Sequence, residues 1–127
     1  QRPAMTISPL VSIVDDDASV REALPALLGQ FGLFVRSFDS AESFLASPEA
    51  ITQTRCLVVD IAMPGLSGID LQDELTRRRV DIPIVFVTAH ADPFIRARVM
   101  SRGARDCLSK PFSDADLLEA INKSLAR

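Results

Sequence analysis

The sequence predicts an α/β fold in which helices cover both faces of a parallel sheet. Short apolar runs alternate with amphipathic stretches along the chain, as in successive strand–helix units joined by right-handed crossovers. The run Cys56–Val59 is apolar without interruption, as expected of a strand that is buried on both faces. With 127 residues, of which 47% are hydrophobic, the chain can form one domain with a substantial core.

The first strand–helix unit is predicted from Val11–Val14 and the amphipathic stretch that follows it. Pro25 should kink or shorten this helix because proline removes a backbone donor, and Gly32 is a suitable C-terminal stop. One face of the helix carries apolar residues at helical spacing, namely Val20, Leu24, Leu27, Leu28 and Phe31.

The second unit is predicted to be shorter. Leu33–Phe38 alternates in polarity, which indicates a strand. Ser40 is a suitable N-cap for a short helix around Phe44 and Leu45. We expect this helix to end at Pro48.

The remaining chain predicts three more strands and three more helices, so that the order is (βα)5. Asp60 closes the third strand. We interpret residues 5–127 as one domain and Gln1–Ala4, which precede a methionine, as a cloning remnant. The other predicted elements are a helix at Leu66–Thr76, a strand at Ile82–Val87, a helix at Phe94–Met100, a strand at Asp106–Ser109 and a helix capped by Ser113.

Composition excludes several classes of protein. A net charge of −3 argues against direct nucleic-acid binding, which needs a basic face, and we expect the run Arg77–Arg79 to be a solvated helix end. No apolar run approaches the roughly 18 residues of a membrane span. Cys56 and Cys107 lie in separate apolar runs, which indicates free thiols in a reducing cytoplasm rather than a disulfide framework.

Polar residues gather where the predicted strands end. Asp15 and Asp16 follow the first strand, Asp60 ends the third, Thr88 ends the fourth, and Lys110 follows the fifth. The carboxyl ends of parallel strands share one edge of an open sheet, where ligands bind. We therefore expect these five residues to converge in one crevice.

Such a crevice would combine carboxylates with a hydroxyl and a lysine. Carboxylates that pack together repel each other, and a divalent cation such as Mg²⁺, which prefers oxygen ligands, relieves that repulsion. Lys110 would add a positive charge, and Thr88 would add a hydroxyl donor. A carboxylate such as Asp60 can be a nucleophile that forms an aspartyl phosphate. The set therefore indicates phosphoryl transfer, in which positioning and charge neutralisation dominate.

Each residue also has an ordinary structural interpretation. Aspartates 15–17 are typical of a helix N-terminus, Asp60 of a turn, Thr88 of a strand and Lys110 of a surface loop. His90, the only histidine, is more typical of an exposed loop than of a general base. Residues of the required types stand at four strand ends in the same chain, and this combination favours the functional interpretation. No single one of these residues would do so.

Four segments resemble the receiver domains of bacterial two-component response regulators. The resemblance extends from about Leu10 to Leu125, and the residues around Thr88 and His90 are similar to those of FixJ-type regulators. It implies a flavodoxin-like fold with strand order 2-1-3-4-5. The segments are IVDDD (13–17), VVDIAMPGLSGIDL (58–71), VFVTAHAD (85–92) and GARDCLSKPF (103–112).

The resemblance also implies roles for individual residues. Asp60 would accept a phosphoryl group from a phosphohistidine of a sensor histidine kinase. The domain would then be no enzyme but a phosphoacceptor that catalyses its own phosphorylation and dephosphorylation. Asp16, Asp60 and the backbone carbonyl of Ala62 would bind Mg²⁺ directly. Asp15 would hold a metal-bound water or bind at longer range.

The switch implied by the resemblance departs from the family pattern at one position. Lys110 and Thr88 would contact phosphoryl oxygens, and the peptide bond between Lys110 and Pro111 would be cis. Cys107 stands where the family usually has an aromatic residue or histidine that swings inward when Thr88 moves. Since cysteine has no ring, we predict that switching relies on the segment Ala89–Phe94. The alternative is that Cys107 is merely a small buried strand residue.

Two other classes of function remain as alternatives. A phosphatase or phosphotransferase with an aspartyl-phosphate intermediate commonly has a second acid two residues after its nucleophile. Ala62 occupies that position here, which argues against rapid turnover. A phosphate-independent interaction module would be expected to lack Asp60, Thr88 or Lys110, and all three are present.

The resemblance implies control of an output, which we expect to be transcription through a domain outside this chain. In the family, the face formed by the fourth helix, fifth strand and fifth helix often mediates dimers. The predicted fourth helix offers Phe94, Val99 and Met100 among three arginines, Arg96, Arg98 and Arg102. We therefore predict a monomer that forms a homodimer on phosphorylation.

Overall fold

The computed structural model describes residues 9–90 and 92–126, which form a five-stranded parallel sheet with helices on both faces. The strand order β2-β1-β3-β4-β5 confirms the predicted topology. The proposed remnant, Gln1–Ala4, lies outside the described residues. The strands are β1 (Leu10–Val14), β2 (Phe34–Phe38), β3 (Thr54–Asp60), β4 (Ile84–Thr88) and β5 (Asp106–Ser109). The helices are α1 (Ala18–Gly29), α2 (Ala41–Leu45), α3 (Pro48–Gln53), α4 (Gly68–Arg77), α5 (Pro93–Ser101) and α6 (Asp114–Leu125).

The two faces of the sheet have separate cores, because successive strand residues point to opposite sides. On one face, residues such as Val59 and Phe86 pack against α2, α3, α4 and α5. On the other face, residues such as Val58 and Val87 pack against α1 and α6. Cys56–Val59 is buried along its whole length, as predicted. Within residues 9–90 and 92–126, no helix has the length and apolarity that a membrane span requires.

Helix α1 continues through Pro25 and is not shortened there. Proline has no N–H to donate to the carbonyl of Arg21, and the Ser37 hydroxyl of β2 donates to that carbonyl instead, at 3.5 Å. The helix ends before Phe31, which is 58% exposed. The prediction that Phe31 belongs to the apolar face of this helix was therefore wrong. Gly32 follows with a φ of 80°, a conformation that suits glycine at a helix end.

Pro48 begins a helix instead of ending one. Helix α2 stops at Leu45, and the Ser47 side chain then caps α3 by accepting from the N–H of Ala50. Proline is favoured in the first helical turn because its φ is preset and its missing N–H needs no partner there. The connection from β2 to β3 thus contains two short helices where one was predicted.

Helix α4 begins at Gly68, two residues later than predicted. Ser67 and Asp70 form a capping box, in which the Ser67 hydroxyl accepts from the Asp70 N–H at 3.1 Å. The Asp70 carboxylate in turn accepts from the Ser67 N–H at 3.0 Å. Because this motif defines the helix start, residues 61–67 form the loop that connects Asp60 to α4.

Candidate functional site

The carboxyl edge of the sheet brings together the acidic residues that follow β1 and end β3. One carboxylate oxygen from each of Asp15, Asp16 and Asp60 lies within 4.8 Å of the other two. Asp15 and Asp60 are buried, with 1% and 6% exposure, whereas Asp16 is exposed. Three carboxylate oxygens at this spacing are a suitable ligand set for a hard divalent cation such as Mg²⁺.

Lys110 contacts both buried carboxylates. Its Nζ lies 2.9 Å from Asp15 Oδ2 and 3.5 Å from Asp60 Oδ2. Its backbone N–H donates to the Thr88 carbonyl at 2.8 Å, which ties the lysine to the end of β4. The peptide bond between Lys110 and Pro111 is cis, as predicted. The residue that follows β5 thus supplies the positive charge of the site.

Burial and charge shift the pKa values of two groups in this site. Burial is the main cause that raises the pKa of Asp60 from 3.8 to about 6, and the charge of Asp15 acts in the same direction. The charge of Lys110 and the N–H of Ala62 oppose that increase. Burial lowers the pKa of Lys110, but the hydrogen bond to Asp15 and the two carboxylate charges outweigh it, so that the pKa lies above 10.5. A bound cation would relieve the repulsion between the carboxylates.

The three consecutive aspartates make different contacts. Asp15 Oδ1 accepts from the Asp17 N–H at 2.9 Å. Asp17 is the N-cap of α1, and its Oδ1 accepts from both the N–H and the hydroxyl of Ser19. The hydroxyl bond is the main cause that lowers the pKa of Asp17. Asp16 accepts no hydrogen bond from the described part of the chain, and one of its carboxylate oxygens lies in the acidic cluster.

Thr88 ends the strand next to that of Asp60, and Ala62 contacts the Asp60 carboxylate. Thr88 is 3% exposed, and its hydroxyl accepts from the N–H of His90 at 3.3 Å. In the register of β3 with β4, Asp60 pairs with Val87, which directly precedes Thr88. Ala62 is exposed, and its N–H donates to Asp60 Oδ1 at 3.3 Å. His90 is exposed, as predicted for a loop residue.

Residues 11–122 of this sequence match the family of response regulator receiver domains. The chain belongs to this family. The receiver domain is 46% identical to Nodulation protein W of Bradyrhizobium diazoefficiens, over 88% of this chain and 49% of that protein. It is 39% identical to transcriptional regulatory protein FixJ of Azorhizobium caulinodans, over 92% of this chain and 55% of that protein. The chain thus spans about half the length of these curated relatives.

Solved structures support the same assignment. The receiver domain superposes on the crystal structure of FixJ-N with a TM-score of 0.83 and 35% identity, covering 96% of this chain and 97% of that one. It matches the response regulator StyR with a TM-score of 0.86 and 48% identity, covering 94% and 60% of the two chains. The protein is therefore a FixJ-like receiver domain with the predicted flavodoxin-like fold.

Membership of this family has three general consequences. Receiver domains are signalling proteins and not classical enzymes. A response regulator implies a histidine kinase as its partner. Receiver domains bind Mg²⁺ at an acidic pocket, and this domain has a cluster of three aspartates at the carboxyl edge of its sheet.

Cys107 is a buried free thiol within β5. In register it pairs with Phe86, and both residues lie in the core beneath α5. The carbonyl of Cys107 accepts from Arg96 Nη1 at 2.5 Å, which joins α5 to β5. These contacts are those of a small buried strand residue, and a role for Cys107 in switching stays a prediction. The predicted moving segment, Ala89–Phe94, includes Ala91, which lies outside the described residues.

The surface of α5 is less apolar than predicted. Phe94 is 88% exposed, but Val99 is fully buried and Met100 is half-buried. The Gln72 amide of α4 donates to the Val99 carbonyl at 3.3 Å, and Val99 packs in the core. The prediction that Val99 lies on an exposed contact surface was therefore wrong, because α5 uses that residue to pack on the domain.

Two contacts beside the site were not predicted from the sequence. Arg21 Nη1 of α1 donates to the Asp15 carbonyl at 2.8 Å. Long helical side chains point back toward the helix N-terminus, so an arginine in the first turns of α1 was a usable signal. Glu42 of α2 accepts from the Leu66 N–H at 3.1 Å. These two residues are 24 positions apart, and no local pattern indicates their contact.

Proposed function

We propose that this receiver domain is a phosphoacceptor switch of a two-component system, in which Asp60 takes a phosphoryl group from a sensor histidine kinase. The observation that supports the proposal is the convergence of Asp15, Asp16, Asp60 and Lys110 at one edge of the sheet. Buried carboxylates that contact a lysine at the ends of the strands suit a reaction that needs a nucleophile and charge neutralisation.

In the proposed reaction, one oxygen of the Asp60 carboxylate attacks the phosphorus of a phosphohistidine. The P–N bond breaks, the imidazole nitrogen keeps the bonding pair and takes a proton, and an acyl phosphate remains on Asp60. Lys110 balances the negative charge of the phosphoryl oxygens, and Thr88 donates its hydroxyl to one of them. Water later attacks the phosphorus, which releases inorganic phosphate and restores the carboxylate.

The residues around Asp60 fit a bound Mg²⁺ ion. Asp16, Asp60 and the Ala62 carbonyl would hold it directly, and Asp15 would hold it through water. All of these ligands are oxygens, which Mg²⁺ prefers, and the three carboxylates lie within reach of one ion. When bound, the ion neutralises charge on the carboxylates and on the phosphoryl group.

The proposed output is transcription through a domain outside this receiver. Relatives of about twice its length include transcriptional regulatory proteins, such as TdiR of Thauera aromatica. With a net charge of −3, the receiver itself is not expected to bind nucleic acid. Its buried free thiols, Cys56 and Cys107, are compatible with a reducing cytoplasm. Phe94, 88% exposed among arginines, would contribute to a phosphorylation-dependent homodimer.

Phosphorylation by acetyl phosphate tests the proposal. Wild type and Asp60→Asn would each be incubated with acetyl phosphate in MgCl2 or in EDTA and analysed by intact-protein mass spectrometry. We expect one phosphoryl group on the wild type with Mg²⁺, and none in EDTA or on the isosteric variant. An equal mass gain on Asp60→Asn would show that the nucleophile is misassigned. Rapid release of inorganic phosphate without stable acyl phosphate would instead favour a phosphatase.

A further inference from the structure

The short helix α2 is a rigid base for one exposed carboxylate. Ala41 and Phe44 are fully buried, and the ring of Phe44 packs edge-on against Phe38 with centroids 5.3 Å apart. The Ser40 hydroxyl caps the helix by accepting from the Ser43 N–H at 3.0 Å. Glu42, on the exposed side of this helix, is therefore presented from a well-anchored backbone.

The loop that follows Asp60 is fixed at both ends by backbone hydrogen bonds. The Ile61 N–H donates to the Val87 carbonyl at 3.0 Å, and the Gly68 N–H donates to the Ile61 carbonyl at 2.9 Å. Between these ends, the Leu66 N–H donates to Glu42 Oε2 at 3.1 Å. A side chain from a different strand–helix unit thus binds the loop near its C-terminal end.

Gly65 shows how closely the loop approaches this carboxylate. A Cβ atom at this position would lie 2.5 Å from Glu42 Oε2, which is closer than non-bonded atoms can stay. Gly65 also has a φ of 75°, which favours glycine. The loop backbone therefore passes directly against Glu42, three residues beyond Ala62.

We propose that Glu42 is a positioning residue for the Mg²⁺ site, because it holds the loop of residues 61–67 in the conformation that presents the Ala62 carbonyl. This inference rests on the proposed function, which assigns that carbonyl to the metal. Mg²⁺ demands near-octahedral geometry, so displacement of one ligand weakens binding. Loss of a group that orients a ligand typically reduces metal affinity by about 10- to 100-fold. Since both loop ends keep their hydrogen bonds, we expect the lower value.

Titration of the metal-free protein with MgCl2, followed by ¹H–¹⁵N NMR, tests this role without a phosphoryl donor. Glu42→Ala should bind Mg²⁺ about 10-fold more weakly than the wild type. Glu42→Gln keeps an oxygen that can accept from Leu66 and should restore binding to near the wild-type value. Glu119→Ala, which removes an exposed glutamate from α6, is the matched control for loss of charge.

Three results would overturn the proposal. In the first, Glu42→Ala binds Mg²⁺ as tightly as Glu119→Ala. In the second, Glu42→Gln binds Mg²⁺ as weakly as Glu42→Ala, which would point to the charge of Glu42 and not to its hydrogen bond. The third concerns Gly65→Ala, which should weaken Mg²⁺ binding more in the wild type than in the Glu42→Ala variant. Equal weakening in both would exclude the contact between Gly65 and Glu42. If Asp60 fails to accept phosphate while these titrations behave as expected, the proposed function fails and the role of Glu42 stands.

Discussion

Replacing Asp60 with asparagine should stabilise the metal-free domain at pH 8. Burial, with the charge of Asp15, raises the pKa of Asp60 from 3.8 to about 6. The folded state therefore binds a proton more tightly than the unfolded chain does, and its stability falls as the pH rises from about 4 through about 6. The difference between these pKa values corresponds to at most about 3 kcal/mol at pH 8. Asparagine does not titrate and avoids this cost, although it gives up the ion pair with Lys110.

Urea unfolding in EDTA at several pH values measures this effect. At pH 8, the free energy of unfolding of Asp60→Asn should exceed that of the wild type by about one to a few kcal/mol, as expected from the difference in the pKa of Asp60 between the folded and unfolded states. This difference in stability should disappear near pH 4. Mg²⁺ should stabilise the wild type more than the variant, because a ligand that binds only the folded state adds to its stability. Glu119→Gln removes an exposed charge and controls for net charge. A pH-independent difference between Asp60→Asn and wild type would refute the reasoning.

Three further substitutions and a measurement of oligomeric state test other parts of the proposed switch. Asp16→Ala should lose Mg²⁺ binding and phosphorylation. Asp17→Ala should keep both and only lower the melting temperature, because Asp17 caps α1. If Asp17→Ala proves the more damaging change, the metal-binding residues of this acidic run have been assigned one position too early. Gly68→Ala would place a Cβ 2.5 Å from the Asp60 carbonyl oxygen. The substitution should therefore lower the free energy of unfolding in urea by about 1–3 kcal/mol and slow phosphorylation. Wild-type behaviour in both assays would contradict the close approach of Gly68 to the Asp60 backbone. Light scattering should show a monomer that becomes a dimer with acetyl phosphate and Mg²⁺, and an unchanged mass would count against the exposed Phe94 as a dimer contact.

The sequence was sufficient to predict the sheet and the residues at its carboxyl edge. Apolar runs such as Cys56–Val59 identified the strands, and their alternation with helices implied a parallel sheet whose strand ends converge. Asp60 and Lys110 are 50 residues apart, yet their side chains lie 3.5 Å from each other. Convergence of this kind follows from topology, so the sequence pattern could predict it.

Features that depend on tertiary contacts were harder to predict. Pro48 is as compatible with the end of one helix as with the start of the next, and Ser47 is only one of several possible caps, so the sequence alone does not predict α3. Phe31 fits the spacing of the buried helix face, but the chain turns before reaching it. The contact of Glu42 with Leu66 has no local signal, since it depends on how α2 lies beside a loop of the next unit.

Identification of the modified residue tests the central claim most directly. Borohydride reduces an acyl phosphate of aspartate to homoserine, and peptide mass spectrometry then locates that residue in the sequence. After incubation with acetyl phosphate and MgCl2, we predict homoserine at position 60 alone, and unmodified aspartate at position 60 when EDTA replaces MgCl2. Homoserine at position 15 or 16, or the same yield at position 60 in EDTA, would contradict the assignment of Asp60 as a Mg²⁺-dependent phosphoacceptor.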